Sequence, residues 1–491
     1  MTGVSRLPYS GPRSYSLLFC VALCGCAPSI KLAQPQLALP PSFEAASSLA
    51  VPDGMDRWWD RFDDPQLSTL IDEALTNGTD ARSAYFRLRE ARAIRDQSLS
   101  QRSPTGAISG TAKVQDGRQL SGLDLFGSTA RADSQSLAFS PSWEIDLFGR
   151  LGAIGEGARA TYVAAAYDYH GARISLAADV ASALFDARGL AVQRDDAQEV
   201  LRIARDLARA SELALSHGLV AASETARLEG DVASAQAELT RIETALRNAK
   251  RSLLVLVGRP DAPTDSLSID ARLHAPPLVP TLLPATLLTR RPDILAAAAR
   301  LAAAASAVKV DRLALFPRFT LQGNGSISRT SGAFGGISAL WSLGAGLGLP
   351  VLDRTRLMAQ LRATQAQGEQ AVVSYEAAVQ AAFRDADIAL ALVAADGTRL
   401  RDLIRAEERA RFAFDAGRKG YDAGLTDLTT LLQSEQTWRT ARRALTNART
   451  QALNNVVSAF RALGGGWNPD EPATAPNQAA VILPIQLKEK P

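Results

Sequence analysis

Proline punctuates this chain in a pattern that constrains its fold more than any other feature. Of 24 prolines, none falls between Pro141 and Pro260, and none between Pro350 and Pro469. The two gaps are equal in length. Proline removes a backbone donor and clashes with the preceding helical turn, so long helices run where it is missing. Equal gaps imply an internal duplication. At one constant offset Arg150-Leu151 falls on Arg356-Leu357, Gly218-Leu219 on Gly424-Leu425 and Gly258 on Gly464. At a slightly larger one Asp80 falls on Asp293, Leu88 on Leu301, Ala91 on Ala304 and Pro104 on Pro317.

Each copy reads as a helix, two strands and a long helical hairpin. The opening helices are expected over 66–102 and 292–315, each ending before a proline. The second is alanine-rich (Ala296 to Ala299, Ala302 to Ala305), which permits close helix approach. Four short segments then alternate in polarity, the mark of a strand with one apolar and one polar face. The first, weaker one runs from Ile108 to Val114. The others centre on Leu137, Phe139, Trp143 and Ile145; on Phe319, Leu321 and Ile327; and on Trp341, Leu343 and Leu347. Each proline-free stretch is split once by glycine, at Gly218 and Gly424. The arm from Leu151 to His217 would extend about 100 Å if continuous. The returning arm carries a heptad seam through Leu228, Val232, Ala235, Leu239, Ile242, Leu246, Ala249, Leu253 and Leu256, which predicts a left-handed coiled coil. The outgoing arm carries two adjacent seams, Val200/Ile203/Leu207/Ala210 and Leu201/Ala204/Ala208/Ser211. Two seams require neighbours on two sides, as the staves of a cylinder have.

All three cysteines (Cys20, Cys24, Cys26) lie at the N-terminus, which rules out a disulfide framework or cysteine metal site in the rest of the chain. Arg6 and Arg13 precede the apolar run Leu17 to Leu23, the layout of a secretory signal too short to span a bilayer. Leu23-Cys24-Gly25-Cys26 resembles a bacterial lipobox, predicting cleavage before Cys26 and lipidation there; a plain signal peptide cut nearby is the alternative. Ala27 after the cysteine, rather than aspartate, favours the outer membrane by resemblance to lipoprotein sorting rules. Beyond the signal no long apolar run appears, so any membrane crossing must use strands. Apolar residues make up 46% and aromatics only 6%, which suits close-packed helices built on small side chains. The formal charge of +3 and the lack of a basic block give no ground for a nucleic-acid partner.

Four strands cannot close a barrel, and a sheet in lipid cannot leave its edges open. About eight strands make the smallest barrel, whose interior is filled by side chains. Three chains would supply twelve strands and a lumen, so a homotrimer is the smallest assembly expected to form a pore.

Four motifs carry a family likeness. They are Trp58-Trp59-Asp60-Arg61-Phe62-Asp63-Asp64-Pro65-Gln66-Leu67, Trp143-Glu144-Ile145-Asp146-Leu147-Phe148-Gly149-Arg150, Arg290-Arg291-Pro292-Asp293-Ile294 and Leu315-Phe316-Pro317-Arg318-Phe319. In this order, behind a lipobox, they resemble the TolC-like outer-membrane factors, most closely the lipoprotein branch serving resistance-nodulation-division (RND) efflux pumps. The resemblance implies a mainly α fold with a small β part: a long antiparallel coiled-coil helical tunnel in the periplasm, and four strands per chain in a trimeric 12-stranded transmembrane β-barrel. It implies a passive outer-membrane channel for drugs or other small organic molecules, with a periplasmic adaptor (membrane fusion) protein and an inner-membrane RND transporter as partners. The expected organisation is a signal peptide (1–25), a lipidated arm with an equatorial segment (26–65), a first repeat (66–258), an equatorial linker (259–290), a second repeat (291–467) and an equatorial tail (468–491).

The glycine-split turns are the expected periplasmic tips. Gly218, Leu219, Gly424 and Leu425 are candidate adaptor-docking residues by resemblance; a leucine tucked inside an ordinary helical corner is the alternative. Tyr421 is a candidate for the contacts that hold the second tip shut. Thr430 and Gln433 stand where relatives often place lumen-facing aspartates, so this chain departs from the acidic-ring pattern. Asp427 is the remaining acidic gate candidate, with a plain solvent-exposed charge the other reading. Trp143, Phe319 and Trp341 suit either an aromatic girdle at the membrane interface or burial against a neighbouring subunit.

An enzyme is not expected. Three scattered histidines (His170, His217, His274) offer no metal spacing, and no nucleophile motif appears. Gly344-Ala345-Gly346-Leu347-Gly348 lies in an alternating strand and runs into Pro350, where a nucleotide-binding loop would open a helix. No cofactor or resident metal is implied. The same fold serving type I protein secretion or metal-ion efflux is the alternative function, but clustered methionine or histidine that would favour metals is missing: Met55 and Met358 stand apart.

Overall fold

The structure, a computed structural model, describes residues 35–36, 40–44, 55–117, 130–280, 284–331 and 335–468. Cys26, the expected lipidation site, and nearly all of the expected C-terminal tail lie outside these residues. The main elements are α1 (Pro65–Asn77), α2 (Thr79–Ser100), β1 (Thr105–Gly117), β2 (Ala130–Ile145), α3 (Arg150–Ser216), α4 (Ala222–Leu256), α5 (Pro292–Leu313), β3 (Arg318–Thr330), β4 (Gly336–Gly348), α6 (Arg354–Asp422) and α7 (Leu428–Ala462).

The duplication is plain in these ranges. The outgoing helices α3 and α6 have 67 and 69 residues, and the returning helices α4 and α7 have 35 each. At about 1.5 Å per residue, the outgoing arms each run roughly 100 Å. One expectation needs correction: the opening helix of the first copy is broken at Gly78 rather than continuous over 66–102. A Cβ on Gly78 would sit 2.4 Å from the Ala74 carbonyl oxygen and 3.0 Å from that of Leu256. Glycine is thus needed for the backbone to pass so close to the end of α4, and the helix axis turns there.

Contacts group the chain into two compact units that each draw on both copies. One holds Ala91–Val163 and Ala298–Ser374, and therefore the whole sheet. The other holds the described parts of Gln36–Glu90, Ala164–Ala297 and Tyr375–Pro491, including most of both hairpins.

The sheet runs β1-β2-β3-β4, every neighbour antiparallel. The β2–β3 pairing, with Leu137 opposite Ile327 and Ile145 opposite Phe319, joins the two copies.

In the hairpin unit the largest core surrounds Trp58, which is fully buried and stacked on Phe460 at 5.7 Å. Leu67, Ile71, Leu184, Leu253 and Ile294 close around it. The Trp58 to Leu67 motif is thus mainly a packing motif. Asp64 caps α1, accepting from the backbone N–H groups of Gln66 and Leu67 at 3.1 Å each. The guanidinium of Arg188 on α3 donates to both Asp64 oxygens and to Gln66 Oε1 at 2.9 Å. The Arg290 to Ile294 motif works similarly: Arg291 donates to the carbonyls of Ala382 and Ala462, which fastens the start of α5 to α6 and α7.

Helix α3 packs on two different neighbours, with Val200 of the first seam joining the second seam against α4. Leu201 and Ala204 pack with Leu239 and Ile242 of α4, and Ser211 meets Thr225 in a buried 3.0 Å hydrogen bond. Ile203 and Leu207 turn instead to Phe414, Leu431 and Trp438 of the second hairpin. A helix packed on both flanks is what the doubled heptad predicts.

Candidate membrane sheet and hairpin tips

Strand registers sort the side chains of the sheet into two unlike faces. On one, Ile108, Phe139, Gly325 and Trp341 form a row; Leu137, Ile327 and Ala339 form the next; Trp143, Leu321 and Ala345, then Ile145, Phe319 and Leu347, lie toward the helical end. From the helical end to the Leu137 row this face is apolar and open, with Trp341 82% exposed and Ile108 and Leu343 also well exposed; beyond it the face turns polar at Gln135, Arg329 and Asp133. The opposite face carries Thr111, Ser136, Ser140, Thr320, Gln322, Asn324, Ser326 and Ser342. An apolar sheet face of this extent in water would be a severe liability; against hydrocarbon it is the stable arrangement. Strands of 13 to 16 residues exceed the roughly 9–11 needed to cross a bilayer at a tilt. No helix among the described residues is long and apolar enough to cross.

The registers also divide the three aromatics proposed for a girdle. Trp143 and Phe319 lie in adjacent rows at the helical end, where Phe148 packs on Phe316 and Phe319 at 5.1 and 6.4 Å. Trp341 lies in a middle row with Phe139 and Ile108. Beneath this end, Trp143 donates its Nε1–H to the Arg102 carbonyl, Glu144 is held by Arg150, and Asp146 caps α3 through the N–H groups of Leu151 and Gly152. The Trp143 to Arg150 motif is therefore a strand-to-helix junction.

The two tips share one geometry. Gly218 and Gly424 adopt φ of +72° and +73°. In each, the glycine N–H donates three residues back, to Leu215 and Tyr421, and the following leucine donates five back, to Ala214 and Gly420. This is the Schellman helix stop, which needs a left-handed residue at the glycine position. In that motif the residue after the glycine normally packs on the third residue from the helix end. Here those partners are Ala214 and Gly420, too small to cover a leucine. Leu219 and Leu425 accordingly stand 77% and 85% exposed, so the tucked reading does not hold within the chain.

The gate candidates fall on the second hairpin in distinct settings. Tyr421 is half-buried against the Phe414, Leu431 and Trp438 cluster. Asp427 is the N-cap of α7: one oxygen accepts from the Thr430 N–H at 2.8 Å and the other from the Thr430 hydroxyl at 3.0 Å. The Thr430 backbone bond, then its hydroxyl, hold the Asp427 carboxyl below its ordinary range. Two gate candidates are thus bonded to each other. Gln433 is exposed and borders a cavity of about 640 Å³ between the two hairpins.

That cavity contains a residue that periodicity did not single out. Glu435 is only 4% exposed, and Arg439, its cationic partner, is 3.6 Å away. Burial raises its carboxyl above the ordinary range, Arg439 opposes this, and Asp231 adds to it. Asp196 on the facing helix is also raised by burial, against the pull of Arg442 at 2.5 Å.

Open strand edges, a lipid-suited face and paired helical hairpins form a combination found in known proteins. Residues 70–259 and 283–465 match the outer membrane efflux protein family. The chain belongs to that family. Among members of the outer membrane efflux protein family, the pyoverdine export outer membrane protein OpmQ of Pseudomonas putida is 32% identical over 473 residues, covering 94% of this chain and 97% of the relative. Outer membrane protein OprJ of Pseudomonas aeruginosa is 30% identical over 485 residues, covering 94% and 97%. The open state of the Neisseria gonorrhoeae MtrE outer membrane channel superposes with a TM-score of 0.76 at 26% identity, covering 91% of this chain and 99% of that one. The protein is an outer-membrane efflux channel component, not an enzyme.

Proposed function

We propose that three copies of this chain close a twelve-stranded barrel through the outer membrane and pass small organic molecules received from a periplasmic adaptor and an inner-membrane RND transporter. The observation that carries this is the sheet: four strands, one exposed apolar face, and outer edges on β1 and β4 that no described residue pairs. Unpaired backbone groups in lipid cost several kcal/mol each, so β4 of one copy must meet β1 of the next. The helical hairpins then form a periplasmic tunnel whose tips present Leu219 and Leu425 to the adaptor, with Tyr421, Asp427, Thr430 and Gln433 near its closure. Lipidation of Cys26 anchors the assembly in the outer membrane. The N-terminal arm, 259–290 and the tail form an equatorial collar. Phe43, stacked on Phe383 at 5.4 Å, supports the arm's place in it. OpmQ is a pyoverdine export protein, which supports a small organic cargo.

Mass measurement of the detergent-extracted protein, followed by planar-bilayer recording, tests this reading. A heat-resistant trimer that conducts ions is expected. A monomer in mild detergent, or a multimer that never conducts, refutes it.

A further inference from the structure

We infer that Arg318 sets a positive ring at the helical mouth of the barrel and biases the channel toward anionic permeants. This rests on the trimeric barrel reading above. Arg318 opens β3, directly opposite Gly348 of β4, and by strand alternation shares the polar face with Thr320, Gln322 and Asn324. Its side chain is exposed, and none of the ion pairs or hydrogen bonds among the described residues engages it. The neighbouring strand gives it no cover, because Gly344, Gly346 and Gly348 occupy the same face there. A Cβ on Gly348 would meet nothing within 4 Å.

The nearest carboxylate on that face, Glu144 opposite Thr320, is already neutralised. Arg150 holds it through two bonds of 2.7 and 2.8 Å, and both side chains are largely covered. Asp146 is committed to the N–H groups that open α3. Through the middle of the sheet the polar face carries serine, threonine, glycine, alanine, asparagine, glutamine and Leu340, with no charge until Lys113 near the far end. Among the described residues of this sheet face, Arg318 therefore stands as the cation without a partner at this end, repeated three times around the lumen. Rings of like charge at a constriction concentrate the opposite ion and repel the same one. Arginine's planar fork also suits carboxylate and phosphate groups, so the favoured cargo is an organic anion.

The experiment is block of single-channel current in planar bilayers by a multivalent anion, inorganic triphosphate, added to the barrel side. Wild type, Arg318→Gln and Arg318→Lys are compared, each first shown to be a trimer. The blocking concentration should rise about tenfold in Arg318→Gln and stay within about threefold of wild type in Arg318→Lys, with block weakening as salt is raised. Equal block in wild type and Arg318→Gln trimers overturns the inference while leaving the channel intact. A wild type that forms no conducting trimer removes the channel reading and this inference together.

Discussion

At the scale of single residues, charge burial decides most. Asp64 and Arg188 are both almost fully buried and bond to each other, with Asp64 also capping α1. Removing one partner leaves an uncompensated buried charge. Arg188→Ala should therefore destabilise the hairpin unit by about 3–5 kcal/mol, read as a lowered thermal midpoint, and more than Gln66→Ala does. Burial alone would raise the Asp64 carboxyl, but Arg188 and the two cap N–H groups hold it below its ordinary value. That contribution is present above the unfolded carboxylate range and disappears as pH falls through the folded value, so the deficit of Arg188→Ala should shrink in acid. Glu435 has the opposite sign. Its raised carboxyl means the fold prefers the protonated form, so stability is lost as pH rises toward neutrality. Glu435→Gln should raise the melting midpoint by a few degrees at neutral pH, and the gain should fade on acidification; a lowered midpoint at neutral pH would count against it. His170, packed on Trp467 and lowered to about 4 by burial, is protonated more readily in the unfolded chain, so acid weakens the fold through it equally in wild type and variants and the effect cancels from each comparison. None of these three settings was visible in the sequence, because each depends on which helices meet rather than on local pattern.

Among the elements, the strands show how a period of two becomes a solvent specification. Leu343 and Ser342 are neighbours in β4, yet the register puts them on opposite faces. Leu343→Lys should weaken the assembled barrel by about 2–4 kcal/mol if its row lies near mid-membrane. Ser342→Lys, on the lumenal face, should leave assembly intact; heat stability of the multimer on a gel separates the two. The strand positions were legible because alternation is a local property, and so was the reversal at Gly218 and Gly424. The break at Gly78 was not: helical periodicity continues across it, and only the approach of the α4 terminus shows why the chain must turn there. The doubled seam on α3 was legible as a demand for two neighbours, but not which ones.

For the whole molecule, function rests on surfaces that one copy leaves uncovered. Leu219→Asp combined with Leu425→Asp should lower efflux in cells by at least an order of magnitude, since an unpaired charge buried in the proposed apolar contact is costly, while trimer yield and bilayer conductance remain unchanged. Loss of the trimer in that variant would assign the leucines to packing between copies instead. By itself the sequence determined the duplication, the four strands, the helical hairpins and the need for partners, because proline spacing, heptads and alternation are written in local order. Only the tertiary structure decided the order of the strands, which side of the sheet is apolar from edge to edge, and where Arg188, Glu435 and Arg318 stand. Those outcomes depend on pairing between segments far apart in the chain, where no local period reaches.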